Sequence, residues 1–520
     1  MRKPFRFLPL LLLCAVLFFA CTDEPAVEPP AETALPRATE IAEVVSTPKP
    51  IVFRHGAAYT GEEKTLTLVI DADEFSLLDR FPALMALDLS GSTCYEAIEA
   101  YRQSHPDVSV RYTVPLGDQA VPIDAESIEV AQLSDPSALA RLPALQSLTV
   151  TGPMSVEDAA ALVAAAGERT LHYTVNVAGK TIASDTETLD LSAEPSASAA
   201  SYLAAIPALP KLSKIVLSPA EGESEWTLDQ ADAFQRAKEG LLVDYRTEAF
   251  GVTFSLADEV VSFNDIPLND KVDEVRALLP YLRNVKRVDM EYCRIRDEEM
   301  AKLREEFPAP KIVWRIYVGS YWARTDAVMI RFSFDVPERW LRDKDTTALK
   351  YCNEVRFLDL GHNRITKADF LAYMPDLEVC IIAAGVLADI SGVANHDKLE
   401  YCEFLSGRIK DLTPLASCPN LEHLNLSYNL ISDITPLYGL KKLKRLWISR
   451  NYIPEEQIEE IRRQLPDTEI NTTSHNPTGE GWRYISERDL LYCERYEKLR
   501  KQFQYEKNLK YYTAEDMPDF

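Results

Sequence analysis

Leu421-Glu-His-Leu424-Asn-Leu426-Ser-Tyr-Asn429-Leu-Ile431-Ser-Asp433-Ile434-Thr-Pro-Leu437 is the stretch on which the reading of this chain turns. It has the form L-x-x-L-x-L-x-x-N-x-I, and that form returns at a fixed distance. Val355, Leu377, Leu399, Leu421 and Leu443 each lie 22 residues from the next. Identical intervals with a shared internal pattern describe a stacked repeat. One such unit cannot bury its apolar side chains alone, so neighbours must pile on one another. Each contributes a short parallel strand whose Leu positions enter a common core, and the Asn turns the chain. The spacing predicts a solenoid from Tyr351 to Thr473.

The wording N-x-I-x-D-I-x-P-L followed by L-x-x-L resembles the 22-residue leucine-rich repeats of internalins and related Gram-positive surface proteins. The resemblance covers roughly a quarter of the chain. It implies a surface-displayed binding module with a concave parallel sheet. Two units depart from the pattern: Gly385 and Gly407 replace the turn Asn, and Cys380 and Cys402 replace the second Leu. Those two cysteines are one repeat apart, which predicts stacking in the core of adjacent coils.

Upstream, a looser pattern recurs. Leu84, Leu145, Leu212 and Val285 are 61, 67 and 73 residues apart, with a further 70 to Val355. Each anchor precedes a strand (Ala86 to Leu89, Ser147 to Val150, Lys214 to Leu217, Arg287 to Met290), then a helical stretch. An alternating strand closes each unit, as in Val108 to Val114 or Leu171 to Val175. The pattern reads as two enlarged coils with a hairpin or loop inserted on one side. The fold class is therefore α/β: residues 51–350 as a degenerate leucine-rich-repeat-like array, or alternatively a separate α/β domain, then the regular parallel-sheet solenoid over 351–473. Residues 474–520 follow as a helical cap, with a helix from about Ser486 to Lys507 covering the open solenoid end.

The N-terminus carries a different message. Arg2, Lys3 and Arg6 precede an apolar run from Phe7 to Ala20, too short to span a bilayer but suited to a secretory signal. The run ends in Phe18-Phe19-Ala20-Cys21, which resembles the lipobox of bacterial lipoproteins and implies lipidation of Cys21. Residues 22–50 are rich in Pro, Ala, Glu and Thr and read as an unfolded spacer. Signal peptide (1–21), spacer and folded body together predict a protein anchored by lipid on the extracytoplasmic face of a bacterial membrane. A formal net charge of -25 argues against nucleic-acid partners, since phosphate affinity comes from Lys and Arg.

Chemistry is sparse. Nine cysteines, less Cys14 and Cys21, leave an odd number in the body and no closed disulfide framework. The histidines lack metal-ligand spacing, and no phosphate-binding loop or nucleophile elbow is present, so no metal, cofactor or catalytic residue is expected. Arg54-His55-Gly56 is similar to the signature of histidine phosphatases, but Ala57-Ala58 follow where that family has a further Arg or Thr. The chain reads as a non-enzyme.

The strand positions between the Leu residues predict the working surface. Phe357, Tyr401, Glu403, His423, Asn425, Arg445 and Trp447, with Tyr428 slightly beyond, are expected to form an exposed concave ladder. Aromatics and Arg on a rigid face are typical interface anchors. The expected ligand is a protein or a glycan; the alternative role is a structural scaffold of an envelope complex. On this reading, replacing Arg445 and Trp447 together abolishes capture and leaves thermal unfolding nearly unchanged.

Overall fold

A computed structural model describes residues 49–518, except 57, 134, 334–336 and 480. The signal peptide, Cys21 and nearly all of the spacer lie outside the described residues. Among those residues, no helix is long and apolar enough to cross a membrane.

The first half is built from four units of one design. Each has a three-stranded parallel sheet: Thr65–Thr67, Ala86–Asp88 and Ser109–Arg111; Ser127–Val130, Ser147–Val150 and Thr170–His172; Thr188–Asp190, Lys214–Val216 and Leu242–Asp244; Val260–Ser262, Arg287–Asp289 and Lys311–Val313. Strands of three or four residues leave one or two side chains pointing inward, and the central strands bury Leu87, Leu148 with Val150, Ile215 and Val288 there. Each third strand then passes into an antiparallel hairpin: Thr113–Leu116 with Gln119–Pro122, Thr174–Val177 with Lys180–Ala183, Arg246–Ala249 with Val252–Ser255, and Arg315–Val318 with Tyr321–Arg324.

The long alternating segments of the sequence are thus two strands each, not one. The break falls on an aromatic residue in every unit: Tyr112, Tyr173, Tyr245 and Trp314. In each, the carbonyl of that residue accepts the same bond, from the amides of Ile123, Ser184, Leu256 and Thr325 at 2.9–3.1 Å. The side chain of three of them is buried and tied down, Tyr112 to Glu99 at 2.6 Å, Tyr173 to the Ala208 carbonyl at 2.6 Å and Trp314 to Asp297 at 3.0 Å. A wedge that large cannot stay in the plane of the sheet, so the backbone turns there into the hairpin.

The regular solenoid follows, with its sheet beginning at Ala327 rather than near Tyr351. Strands Ala327–Arg331, Phe357–Asp359, Val379–Ile381, Tyr401–Glu403, His423–Asn425, Arg445–Trp447 and Glu469–Asn471 run parallel in sequence order. The turn asparagines staple each coil to the one before: the amide groups of Asn363, Asn429 and Asn451 donate to the carbonyls of Phe332, Phe404 and Leu426 at 3.0, 2.7 and 3.0 Å. At Gly407 a side chain is excluded, because a Cβ there would meet the Asn429 amide oxygen and the Leu387 carbonyl at 2.8 Å each. Cys380 and Cys402 are register partners on adjacent strands and both are buried. The last coil ends in the helix Glu455–Gln464, which buries Ile458 and Ile461 in the main core.

Residues beyond Thr473 do not cap the end of the solenoid with one long helix. They form a hairpin (Tyr484–Ser486 with Leu491–Tyr492), a helix over Glu494–Phe503, a 3-10 turn over Tyr505–Lys507, a strand over Tyr511–Thr513 and a second 3-10 turn over Ala514–Asp516. This strap starts at one edge of the C-terminal sheet and ends at the other, where Tyr511–Thr513 pairs antiparallel with Ala327–Arg331. The amide of Arg331 donates to the Lys510 carbonyl at 2.7 Å, and its guanidinium to Asn508 at 2.8 Å. The sheet therefore has an apolar cluster on each face. One is the solenoid interior; the other joins Phe357, Val379, Ile381, Tyr401 and Trp447 to Trp482, Leu499, Phe503 and Tyr512.

Candidate functional site

The ladder expected to meet a ligand meets the strap instead. Phe357 and Tyr401 are fully buried and Trp447 is 1% exposed. The Phe357 ring stands edge-on to Phe503 at 6.3 Å, and Trp482 inserts between Tyr401 and Trp447 at 5.5 and 5.7 Å. Gly481 turns the strap down onto the sheet with φ +93, and a Cβ there would lie 3.3 Å from the Trp447 ring. The polar members are engaged as well. Asn425 donates to the Pro477 carbonyl and the Tyr428 hydroxyl to the His475 carbonyl, both at 2.7 Å. Arg445 donates to the carbonyls of Gly481 and Trp482 at 2.6 and 3.0 Å. An exposed concave face over these coils is thus corrected: four of the five strands carry apolar residues on their outer side because another layer of the same chain covers them.

Glu403 is the ionic centre of this layer. It has no exposed surface, accepts from the Tyr401 hydroxyl at 2.5 Å and from the Trp482 indole at 2.7 Å, and pairs with Arg483. Burial alone would raise its pKa, but the Arg483 charge and these three donors outweigh that and hold it below the usual carboxylate value. Asp359, two coils away, goes the other way. Burial raises its pKa although the Gly361 amide and the Ser333 and Tyr505 hydroxyls all donate to it at 3.0 Å. His423 accepts at Nδ1 from the Arg445 guanidinium at 3.1 Å, which fixes its proton on Nε2. Burial, then the positive charges of Arg445, Arg495 and Lys444, push its pKa down to about 3.

The array is arranged differently. On its outer strands the outward positions Thr65, Thr67, Ser109, Arg111, Ser127, Glu129, Thr170, His172, Thr188, Asp190 and Ser262 are exposed, as are the apolar Leu242 and Val260, whereas the central-strand positions are half-buried and Asp289 and Val313 of the fourth unit are buried. These positions were not singled out in the sequence, where they carry neither an aromatic nor a motif. The phosphatase-like tripeptide sits in the loop joining two short strands, Ile51–Val52 and Ala58–Tyr59. There His55 is exposed, and the Arg54 guanidinium is paired with Asp71 and Asp73. Among the described residues, no group of three or more His, Cys, Asp or Glu is placed to hold a metal ion.

A family profile described as "Leucine Rich repeats (2 copies)" matches residues 404–439 and 419–463. No curated protein matches the chain. Among solved structures, an internalin of Listeria monocytogenes is 14% identical, with 84% of this chain and 95% of that one covered and a TM-score of 0.23. A leucine-rich-repeat protein of Leptospira interrogans is 15% identical over 79% of this chain and 93% of its own, with a TM-score of 0.26. The chain has the leucine-rich-repeat fold, an α/β solenoid, and no catalytic family is indicated.

Proposed function

We propose that this is a lipid-tethered extracytoplasmic recognition protein, non-catalytic, that binds a protein or glycan through the open surface of its N-terminal array. The observation that supports this reading is the contrast between the two strand faces. The C-terminal face is filled by the strap, whereas the array's outward positions are mostly polar and exposed or half-exposed, the buried exceptions being Asp289 and Val313 of the fourth unit. The C-terminal coils then serve as a closed structural end. The tether rests on the sequence of residues 1–50, from the apolar run to Cys21 and the Pro-rich spacer.

Labelling of intact cells with a membrane-impermeant reagent tests it. The wild-type chain is expected to be labelled and to fractionate with membranes, and Cys21→Ser to leave the membrane fraction. An unlabelled cytoplasmic protein would overturn the reading. Capture from cell-wall, host-protein and glycan panels by the full chain is expected to survive Arg450→Ala in the C-terminal coils.

A further inference from the structure

The four hairpins are equivalent by register, so their outer faces can be compared position by position. The central outward pair is Pro115 with Ala120 in the first, Asn176 with Thr181 in the second and Glu248 with Thr253 in the third. In the fourth it is Tyr317 with Trp322. Nothing in the hairpin fold asks for this, since the inward residues Ile316, Val318 and Ala323 already fill the core. We propose that the outer face of the fourth hairpin, with the cleft beside it, binds an uncharged glycan. This rests on the reading of the chain as a recognition protein.

The face is exposed, and two of its three rings are held in place. Tyr317 is 56% exposed, Tyr292 44% and Trp322 38%. The Arg315 guanidinium lies between two of these rings, 3.7 Å from the centre of Tyr292 and 3.6 Å from that of Trp322. Glu291 holds it there, accepting from Nε at 2.8 Å and Nη2 at 2.5 Å. Trp322 is braced from the strap by Tyr511, whose ring is 5.1 Å away. Rings fixed in advance lose little freedom when a ligand arrives.

A cleft of about 680 Å³ opens beside them at the carboxyl ends of the fourth unit's strands, walled by Tyr292, Trp314 and Tyr317. That is the size of a small-ligand site. Its charges nearly cancel: Asp265, Asp297 and Glu298 face Arg294 and Arg296, and Glu291 neutralises Arg315. The side chains of Asp265, Arg294 and Glu298 have no hydrogen-bond partner among the described residues. The site thus offers flat apolar rings next to free acceptors and donors, with no excess of positive charge. A sugar ring matches it, since its C–H face can lie on an aromatic ring while its edge hydroxyls reach carboxylate and guanidinium groups. A polyanion would meet both this balance and the chain's net charge of -25.

The test is affinity electrophoresis and calorimetry of the full chain with soluble neutral glucan, mannan and N-acetylglucosamine oligomers, and with dextran sulfate as the charged control. At least one neutral glycan is expected to bind. Tyr317→Ala and Arg294→Ala should each weaken it about tenfold or more while leaving the melting temperature in place. No binding to the neutral probes, preference for dextran sulfate, or binding indifferent to both substitutions overturns the proposal. Capture of a protein ligand by surface-exposed but glycan-blind protein would sink the glycan site and spare the recognition reading. Glycan binding by a chain found in the cytoplasm would do the reverse.

Discussion

The outward strand positions of the array and of the C-terminal sheet occupy the same place in the same kind of coil. In the array they are mostly polar and open to solvent on the outer strands, with Leu242 and Val260 exposed among them, and the fourth unit alone buries any, at Asp289 and Val313. In the C-terminal sheet they include Phe357, Val379, Ile381, Tyr401 and Trp447, and they face a second apolar layer. A strand buried on one face alternates, whereas one buried on both reads as a continuous apolar run. Val379-Cys380-Ile381-Ile382-Ala383 is such a run; Thr65-Leu66-Thr67-Leu68 is its alternating counterpart. Aromatic residues on the open side of a solenoid therefore signal a covering layer before they signal a ligand.

The largest break in this comparison comes from removing the cover. Ending the chain after Thr473 would expose Phe357, Tyr401 and Trp447 at once, each worth about 1.5–3 kcal/mol or more of burial. It would also free the edge of Ala327–Arg331, which invites pairing between copies. The truncated chain is expected to aggregate or to bind a hydrophobic dye strongly. A monomeric, dye-silent truncation would mean the strap is dispensable.

Single substitutions sharpen the same contrast. Glu403→Ala leaves Arg483 without its partner inside the layer, and losing one member of such a pair costs about 3–5 kcal/mol. Trp447→Ala should cost a similar amount, about 3–5 kcal/mol, through the cavity it leaves. Replacing Arg445 and Trp447 together is thus expected to lower the urea midpoint markedly, the opposite of what an exposed ladder would give. Thr170→Ala on the open face should stay within about 0.5 kcal/mol. Equal effects on the two faces would erase the distinction.

Much of this was legible in the residues, and the part that was not has a physical cause. The 22-residue register follows from the spacing of Leu377, Leu399, Leu421 and Leu443, because stacked coils must repeat in step. The array's units were visible through Leu84, Leu145 and Leu212. An inserted hairpin or loop was expected in each unit but its place was hidden, since alternation carries on unchanged from Ser109–Arg111 into Thr113–Leu116; the aromatic at each break was the available clue. The strap was missed for another reason. Trp482, Leu499 and Phe503 find partners up to 146 residues away in chain, as Tyr505 does with Asp359, and local periodicity is blind to that distance. Glu403 looked like a surface acid because its counter-charge, Arg483, lies 80 residues on.

The smallest effect expected is a slope with pH, and it tests the cover without dismantling it. His423 stays neutral in the folded chain because burial and the charges of Arg445, Arg495 and Lys444 bring its pKa from 6.5 to about 3. Glu422, 4.0 Å from Nε2, does not offset them. Once unfolded, the same imidazole takes up a proton near its ordinary value. Between those two limits the unfolded state binds more protons, so stability falls as the solution is acidified, by at most about 1.4 kcal/mol per pH unit from this group. Glu403 adds loss only at lower pH, as its depressed pKa is crossed, and Asp359 acts with the opposite sign because its neutral form is the favoured one. His423→Gln keeps an acceptor for the Arg445 guanidinium and removes the titration. From pH 7 to 5 its urea midpoint should decline less steeply than that of the wild type. Parallel profiles would show that the imidazole reaches solvent in the folded protein, and that the strap does not stay closed over the sheet.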